Sequence, residues 1–153
     1  MRVAGEARAT LSAPPHQVLA MLVDFAAYPQ WWAGCVRADV VGDESPARYD
    51  VAFTFDTHTP IGMIDVTIRF DVAPDGSGMR LSALAGPLRD LEGDGWTLLA
   101  GSDGTTEARY ELAGEMDTGL PAFVERPFAG KAREFLIDAP VAALQSRIAS
   151  GVR

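Results

Sequence analysis

Cysteine is all but missing from this sequence. Cys35 is the only one, so no intrachain disulfide can form and nothing points to an oxidising compartment; with no clustered His or Lys beside it, its expected role is structural. Histidine is nearly as scarce. His16 and His58 stand alone, and no His/Cys grouping has the spacing of a zinc site, so neither a bound metal nor another cofactor is expected. Positive charge is short as well: 13 Lys and Arg against 21 Asp and Glu give a net charge of −8, a field that repels nucleic acid and anionic membrane surfaces. No apolar run approaches the ~20 residues of a membrane span, and the opening MRVAGEARATL has too short an apolar stretch for a signal peptide. No glycine-rich loop joins a strand to a helix ahead of a Lys, no serine sits in a nucleophile elbow, and no repeat or linker divides the chain. The expectation is one domain over residues 1–153, cytoplasmic, without stable membrane insertion, and monomeric or homodimeric.

What is present is ordinary globular material, with 48% hydrophobic and 22% charged residues in 153, enough for one sizeable core. Residues 3–12 alternate with period two and predict a strand. SAPPHQVLAMLVDFAAY predicts a helix from about Pro14 to Phe25, capped by Ser12 or its neighbour, with Val18, Leu19, Leu22 and Val23 on one face. Tyr28, Trp31 and Trp32 follow on a second short helix that Gly34 ends. The pattern then becomes strands and turns: 35–41, a loop in GDESPA, 48–56, 64–72, 79–85, 90–100 and 105–113. From about Pro121 to Ser150 apolar residues recur every three or four positions, predicting a long helix disturbed at Pro127 and Pro140.

Seven antiparallel strands leave one sheet face in need of cover, and only the last helix is long enough to cover it. The predicted fold is therefore α+β, a curved seven-stranded antiparallel sheet wrapped around a long C-terminal helix, with two short helices after the first strand. Gly86, Gly93, Gly95 and Pro87 fall where strands must bend or bulge for such curvature, and a bulge there decides which residues of 86–95 face inward. A curved sheet and a straight helix leave space between them, and inward residues would line it. Val36, Leu98 and Ala108 are expected inward with the residues named below.

The stretch SAPPHQVLAMLVDFAAYPQWWAGCVRADVV, with Asp24, Phe25, Tyr28, Pro29 and Trp31, resembles the opening of the polyketide cyclase/dehydrase and lipid-transport group in the SRPBCC (helix-grip, StAR-related, START-like) superfamily. Gly95 and Trp96, followed by Gly104, Thr105 and Thr106, look like that group's Gly-x-Trp strand and Gly-Thr-Thr turn. The resemblance covers essentially the whole chain in element order and implies the helix-grip fold. Similar proteins include aromatic polyketide cyclases, lipid and sterol carriers, hormone receptors and ribosome-related proteins, so it does not choose a function.

Candidate ligand-binding residues are Trp31; Tyr49, Val51, Phe53 and Phe55 from one strand; Val66 and Ile68 from the next; Trp96 and Tyr110; and Phe128 and Phe135 from the helix. Tyr28, Trp31 and Trp32 are candidates for a lid, against the plainer reading in which one tryptophan staples the short helices to the sheet and the other lies at the surface. Asp50, Asp56, Asp65 and Asp71 fall on the outward parity of their strands, with Arg69 and Arg109 as ladder partners. Of Asp90, Glu92 and Asp94, one turned inward by a bulge would gain a raised pKa and serve as an acid or base. The expected function is binding a hydrophobic small molecule, lipid-like or polycyclic, in the cavity as a carrier. The alternatives are a polyketide cyclase or aromatase in the same cavity, drawing on Tyr49, Tyr110 or His58, and a protein-docking module. No catalytic residue is assigned.

Overall fold

The computed structural model describes residues 1–45 and 47–151, with 43–45 described by backbone alone. Strands β1 (Arg2–Leu11), β2 (Cys35–Ser45), β3 (Arg48–Asp56), β4 (Met63–Val72), β5 (Gly78–Ala85), β6 (Leu88–Ala100) and β7 (Thr106–Met116) form one antiparallel sheet in the order β1-β7-β6-β5-β4-β3-β2. Strands β2 to β7 form a meander in chain order, and β1 closes on β7 in unbroken register from Arg2↔Glu115 to Leu11↔Thr106. The predicted fold is the observed one.

Between β1 and β2 lie α1 (Pro15–Leu22), a 3₁₀ turn (Phe25–Ala27) and α2 (Tyr28–Trp31). The N-cap position falls on Pro14, with no side-chain cap, rather than on Ser12 or its neighbour. Two adjacent prolines explain this, because each removes a backbone N–H that a cap would otherwise satisfy. Gln17 and Val18 donate to the Pro14 carbonyl at 3.0 and 3.1 Å and close the first turn. The helix stops at Leu22, earlier than expected, and the 3₁₀ turn carries Phe25 into the core. Tyr28 Oη donates to the Leu22 carbonyl at 2.6 Å, using an orphan helix-end acceptor to tie α2 to α1.

The β3–β4 ladder shows the parity clearly. Val51, Phe53, Phe55, Val66 and Ile68 are buried. Across the outer face Asp50 opposes Arg69 in a two-point ion pair (2.8 and 3.1 Å), and Arg48 reaches Asp71 at 2.7 Å. Val36 breaks the expectation. A bulge between Cys35 and Arg37 shifts the register, so Cys35 and Ala38 are buried and Val36 is turned out, 53% exposed. β2 also runs beyond its expected end at Val41, and Pro46, in the expected loop, lies outside the described residues.

The glycine-rich strand bends as predicted. The β6–β7 register slips twice, between Arg89 and Glu92 and between Glu92 and Gly95. Gly93 and Gly95 have φ of +107° and +63°, and a Cβ on Gly95 would collide with the Met79 carbonyl of β5. These slips leave Leu88 buried, turn Asp90, Glu92 and Asp94 to solvent, and return Trp96 to the inside.

The C-terminal segment is helical across 122–149: α3 (Ala122–Glu125), a 3₁₀ turn (Arg126–Phe128), α4 (Ala129–Arg133), a π-turn (Glu134–Asp138) and α5 (Ala139–Ala149). Both irregularities sit at prolines. Pro127 lies in the 3₁₀ turn, and the π-turn precedes Pro140, whose missing N–H cannot bond four residues back. Leu136, Ile137, Val141 and Leu144 are buried against the sheet.

Thr106, fully buried, donates to the Ala13 carbonyl at 2.7 Å and pins the start of β7 to the β1–α1 junction. Thr106→Val leaves that buried carbonyl unpaired, and we expect a loss of about 1–3 kcal/mol. Thr54→Val, which loses only an exposed bond to Asp65, should cost no more than about 0.5 kcal/mol. Urea unfolding of both variants checks the contrast.

Candidate ligand site between the sheet and the C-terminal helix

The inner face of the sheet and the helix that crosses it do not quite meet. The gap between them is about 40 Å³. Its walls are Tyr28, Trp31 and Trp32 from α2 and its end; Phe53 and Phe55 of β3; Val66, Ile68 and Phe70 of β4; Leu81 of β5; Leu88, Leu91 and Trp96 of β6; Tyr110 and Leu112 of β7; and Leu136 and Pro140, within and just after the π-turn of the helix. Such a gap is far below the ~300–1,000 Å³ of pockets that hold drug-sized ligands. The space expected between sheet and helix is thus mostly filled, and aromatic rings fill it. Trp96 stacks on Tyr110 with centroids 4.5 Å apart, Phe53 stacks on Phe55 at 5.2 Å, and Trp32 tilts against Phe55 at 4.8 Å.

Of the sequence candidates, Trp31, Phe53, Phe55, Val66, Ile68, Trp96 and Tyr110 come together in this lining. Phe128 and Phe135 instead border a crevice of about 10 Å³ between the helix and the β3–β4 loop, with Thr57, Thr59 and Ile61. The Phe135 ring lies directly over Gly34, where any Cβ would collide with it. Tyr49 and Val51 line neither space. Tyr49 is half-buried with its ring 5.4 Å from Phe25, and Val51 is sealed in the core. Both share the inward parity of Phe53, but they lie farther along the strand, where the Tyr49 ring meets Phe25. Leu81, Leu88, Leu91 and Leu112 were not anticipated. Leu112 follows from the period of two through Tyr110, whereas Leu91 enters only because the double bulge reverses the parity of β6.

Both tryptophans of the pair line the gap, and neither lies free at the surface. Trp32 is buried between Phe55 and Phe135, while Trp31 is half-buried with its ring 4.7 Å from Tyr28. Polar chemistry at the gap is sparse. Tyr28 spends its hydroxyl proton on Leu22, and burial is the main reason that both Tyr28 and Tyr110 hold their protons above the ordinary tyrosine range. Cys35, buried behind α2, is likewise pushed up to about 11 by burial, which keeps it a thiol near neutral pH.

The other polar candidates lie elsewhere. His58 sits exposed in the β3–β4 loop at φ +52°, its Nδ1 3.5 Å from Asp56, and His16 is exposed on α1. Asp94 faces Arg109 at 2.6 Å and Arg80 at 3.8 Å on the outer face. No bulge has turned Asp90, Glu92 or Asp94 inward. Among the described residues no group of three His, Cys, Asp or Glu is placed to hold a metal, and no helix is long and apolar enough to cross a membrane.

The raised tyrosines carry a pH signature. An unfolded tyrosine loses its proton near pH 10, whereas Tyr28 and Tyr110 in the fold keep theirs above that. Their contribution to stability is therefore complete below about pH 10 and is lost as the pH rises further toward the folded values. Tyrosinate absorbance should show these two un-ionised in the folded protein at about pH 11 and ionised at the same pH in denaturant.

The sequence profile of the family described as polyketide cyclase/dehydrase and lipid transport matches residues 11–139. A search of curated protein sequences returns no match. Solved structures share the fold at low identity. The Thermus thermophilus protein TTHA0849 superposes with a TM-score of 0.80 at 17% identity, all of both chains being covered. The STAR-related lipid transfer protein of Xanthomonas axonopodis gives 0.72 at 17% identity over 94% of this chain and 84% of its own. The Zhui aromatase/cyclase of a Streptomyces species gives 0.70 at 15% identity over the whole of both chains. With most of its length matched by one profile, and with the sheet and helix those structures share, the chain belongs to the polyketide cyclase/dehydrase and lipid transport family.

Proposed function

We propose that this protein binds a hydrophobic small molecule, lipid-like or polycyclic, between its sheet and its C-terminal helix, and carries or sequesters it in the cytoplasm. The observation that carries this reading is the composition of the gap. Every residue around it is apolar or aromatic, and all three tryptophans of the chain are among them. Such a wall gives a ligand dispersion and hydrophobic contact and offers almost nothing to a charged one.

A ligand of lipid or polycycle size needs more room than about 40 Å³, so binding separates side chains that now touch. On the sheet side β1–β7 and β3–β4 pair in unbroken register, whereas β5 and β6 pair only at Gly78↔Thr97 and Met79↔Trp96. The helix side has the π-turn at Glu134–Asp138 and the Phe135 ring resting on bare Gly34 backbone. Widening belongs there, since π-turns interrupt regular helical bonding and recur at functional sites.

A cyclase in the same space is the second reading, and Tyr110 is the observation in its favour, as a hydroxyl on the wall of an apolar gap. The carrier reading is preferred because no carboxylate, imidazole or guanidinium lines the gap, and burial makes the Tyr110 hydroxyl a weaker acid than usual.

Native mass spectrometry of the purified protein beside a denatured control tests the proposal. We expect an added mass that is lost on denaturation, or uptake of neutral hydrophobic fluorophores by the empty protein. Val66→Trp, which fills the gap, should block that uptake at a stability cost of about 1–3 kcal/mol. An empty protein that takes up none of the fluorophores contradicts the carrier reading.

A further inference from the structure

Two polar groups on the wall of the gap have no partner. Trp32 Nε1–H is buried and makes no hydrogen bond, although its ring lines the gap and is packed by Phe55 and Phe135. The Tyr110 hydroxyl, on the same wall, has no hydrogen-bond partner among the described residues, although the fully buried side-chain atoms without one are Trp32 Nε1 and, away from the gap, Arg147 Nε. Tyr28, on the same wall, is satisfied by Leu22. A buried donor left unpaired costs about 1–3 kcal/mol, and native folds rarely leave one without a reason. An indole N–H is a donor only, so what it lacks is an acceptor.

Resting on the carrier reading, we propose that the ligand bears an uncharged acceptor oxygen, a ketone or comparable carbonyl, which Trp32 Nε1–H binds, with the Tyr110 hydroxyl as a further donor on the same wall. A carboxylate is disfavoured, because no cationic side chain lines the gap to offset its desolvation. A plain hydrocarbon fits the apolar walls but leaves both donors unpaired. Trp32 is therefore a specificity-determining residue: it selects for carbonyl-bearing molecules among hydrophobic ones of the same shape.

The test uses indane and indanone, which share a bicyclic skeleton and differ by one carbonyl. Their dissociation constants are measured by calorimetry on the wild type and on Trp32→Phe, which keeps an aromatic ring and removes the N–H. We expect the ketone-to-hydrocarbon affinity ratio to fall about tenfold in the variant, equivalent to about 1.4 kcal/mol, whatever change the smaller ring brings to the affinity for indane itself. Indole N–H resonances of isotope-labelled wild-type protein, assigned with single Trp→Phe variants, supply a measurement independent of how well Trp32→Phe folds. The Trp32 resonance should move downfield with indanone and not with indane. An unchanged ratio, or a Trp32 resonance that responds to both probes alike, overturns the inference while the carrier reading stands. Failure of the wild type to bind either probe overturns both.

Discussion

The concave face of the sheet presents Phe53, Phe55, Val66, Ile68, Trp96 and Tyr110 from four strands, and one helical segment covers them. Everything else in the molecule answers to that single cover. The sheet curves because a flat one would leave its outer strands unpacked against one helix, and curvature is supplied by the two register slips in β6 and the glycines that permit them. The short helices close the end that the C-terminal helix does not reach, with Phe25 and Tyr28 plugging the sheet and Tyr28 Oη tying the two helices together.

The same constraint explains why a site exists here. Rings set at fixed angles on a curved wall do not tile perfectly against a helix broken by prolines, and the residue of that mismatch is a small space lined by aromatic and aliphatic side chains. Charge is kept on the other face. Asp50 with Arg69, Arg48 with Asp71 and Asp94 with Arg109 satisfy one another across neighbouring strands, so the chain can be strongly acidic overall and still present an interior without ions. Interior and exterior are separated residue by residue through the period of two.

That period is also why so much was legible in advance. Strands with strict alternation, such as Tyr49 to Asp56 and Ile64 to Val72, disclose their inward residues directly, and Pro127 and Pro140 announce the irregular turns of the last helix. What escaped were positions where one extra residue resets the count. Val36 faces out because of the bulge after Cys35, and Leu91 faces in because of the slips around Gly93. Tyr49 and Val51 had the right parity and the wrong place along the strand, since alternation gives the face but not what lies over it. The filling of the cavity was hidden as well, because ring packing depends on side-chain directions that no spacing encodes.

The claim at the centre of this account is that ligands enter the aromatic-lined space under the helix instead of resting on the surface. Fluorine NMR of protein carrying fluorotryptophan at Trp31, Trp32 and Trp96 tests it directly, because these residues surround the gap from both the α2 side and the sheet. On addition of a bound hydrophobic ligand the account predicts that the resonances of all three move, including buried Trp96 and Trp32. Saturable binding that leaves Trp32 and Trp96 unshifted would contradict it.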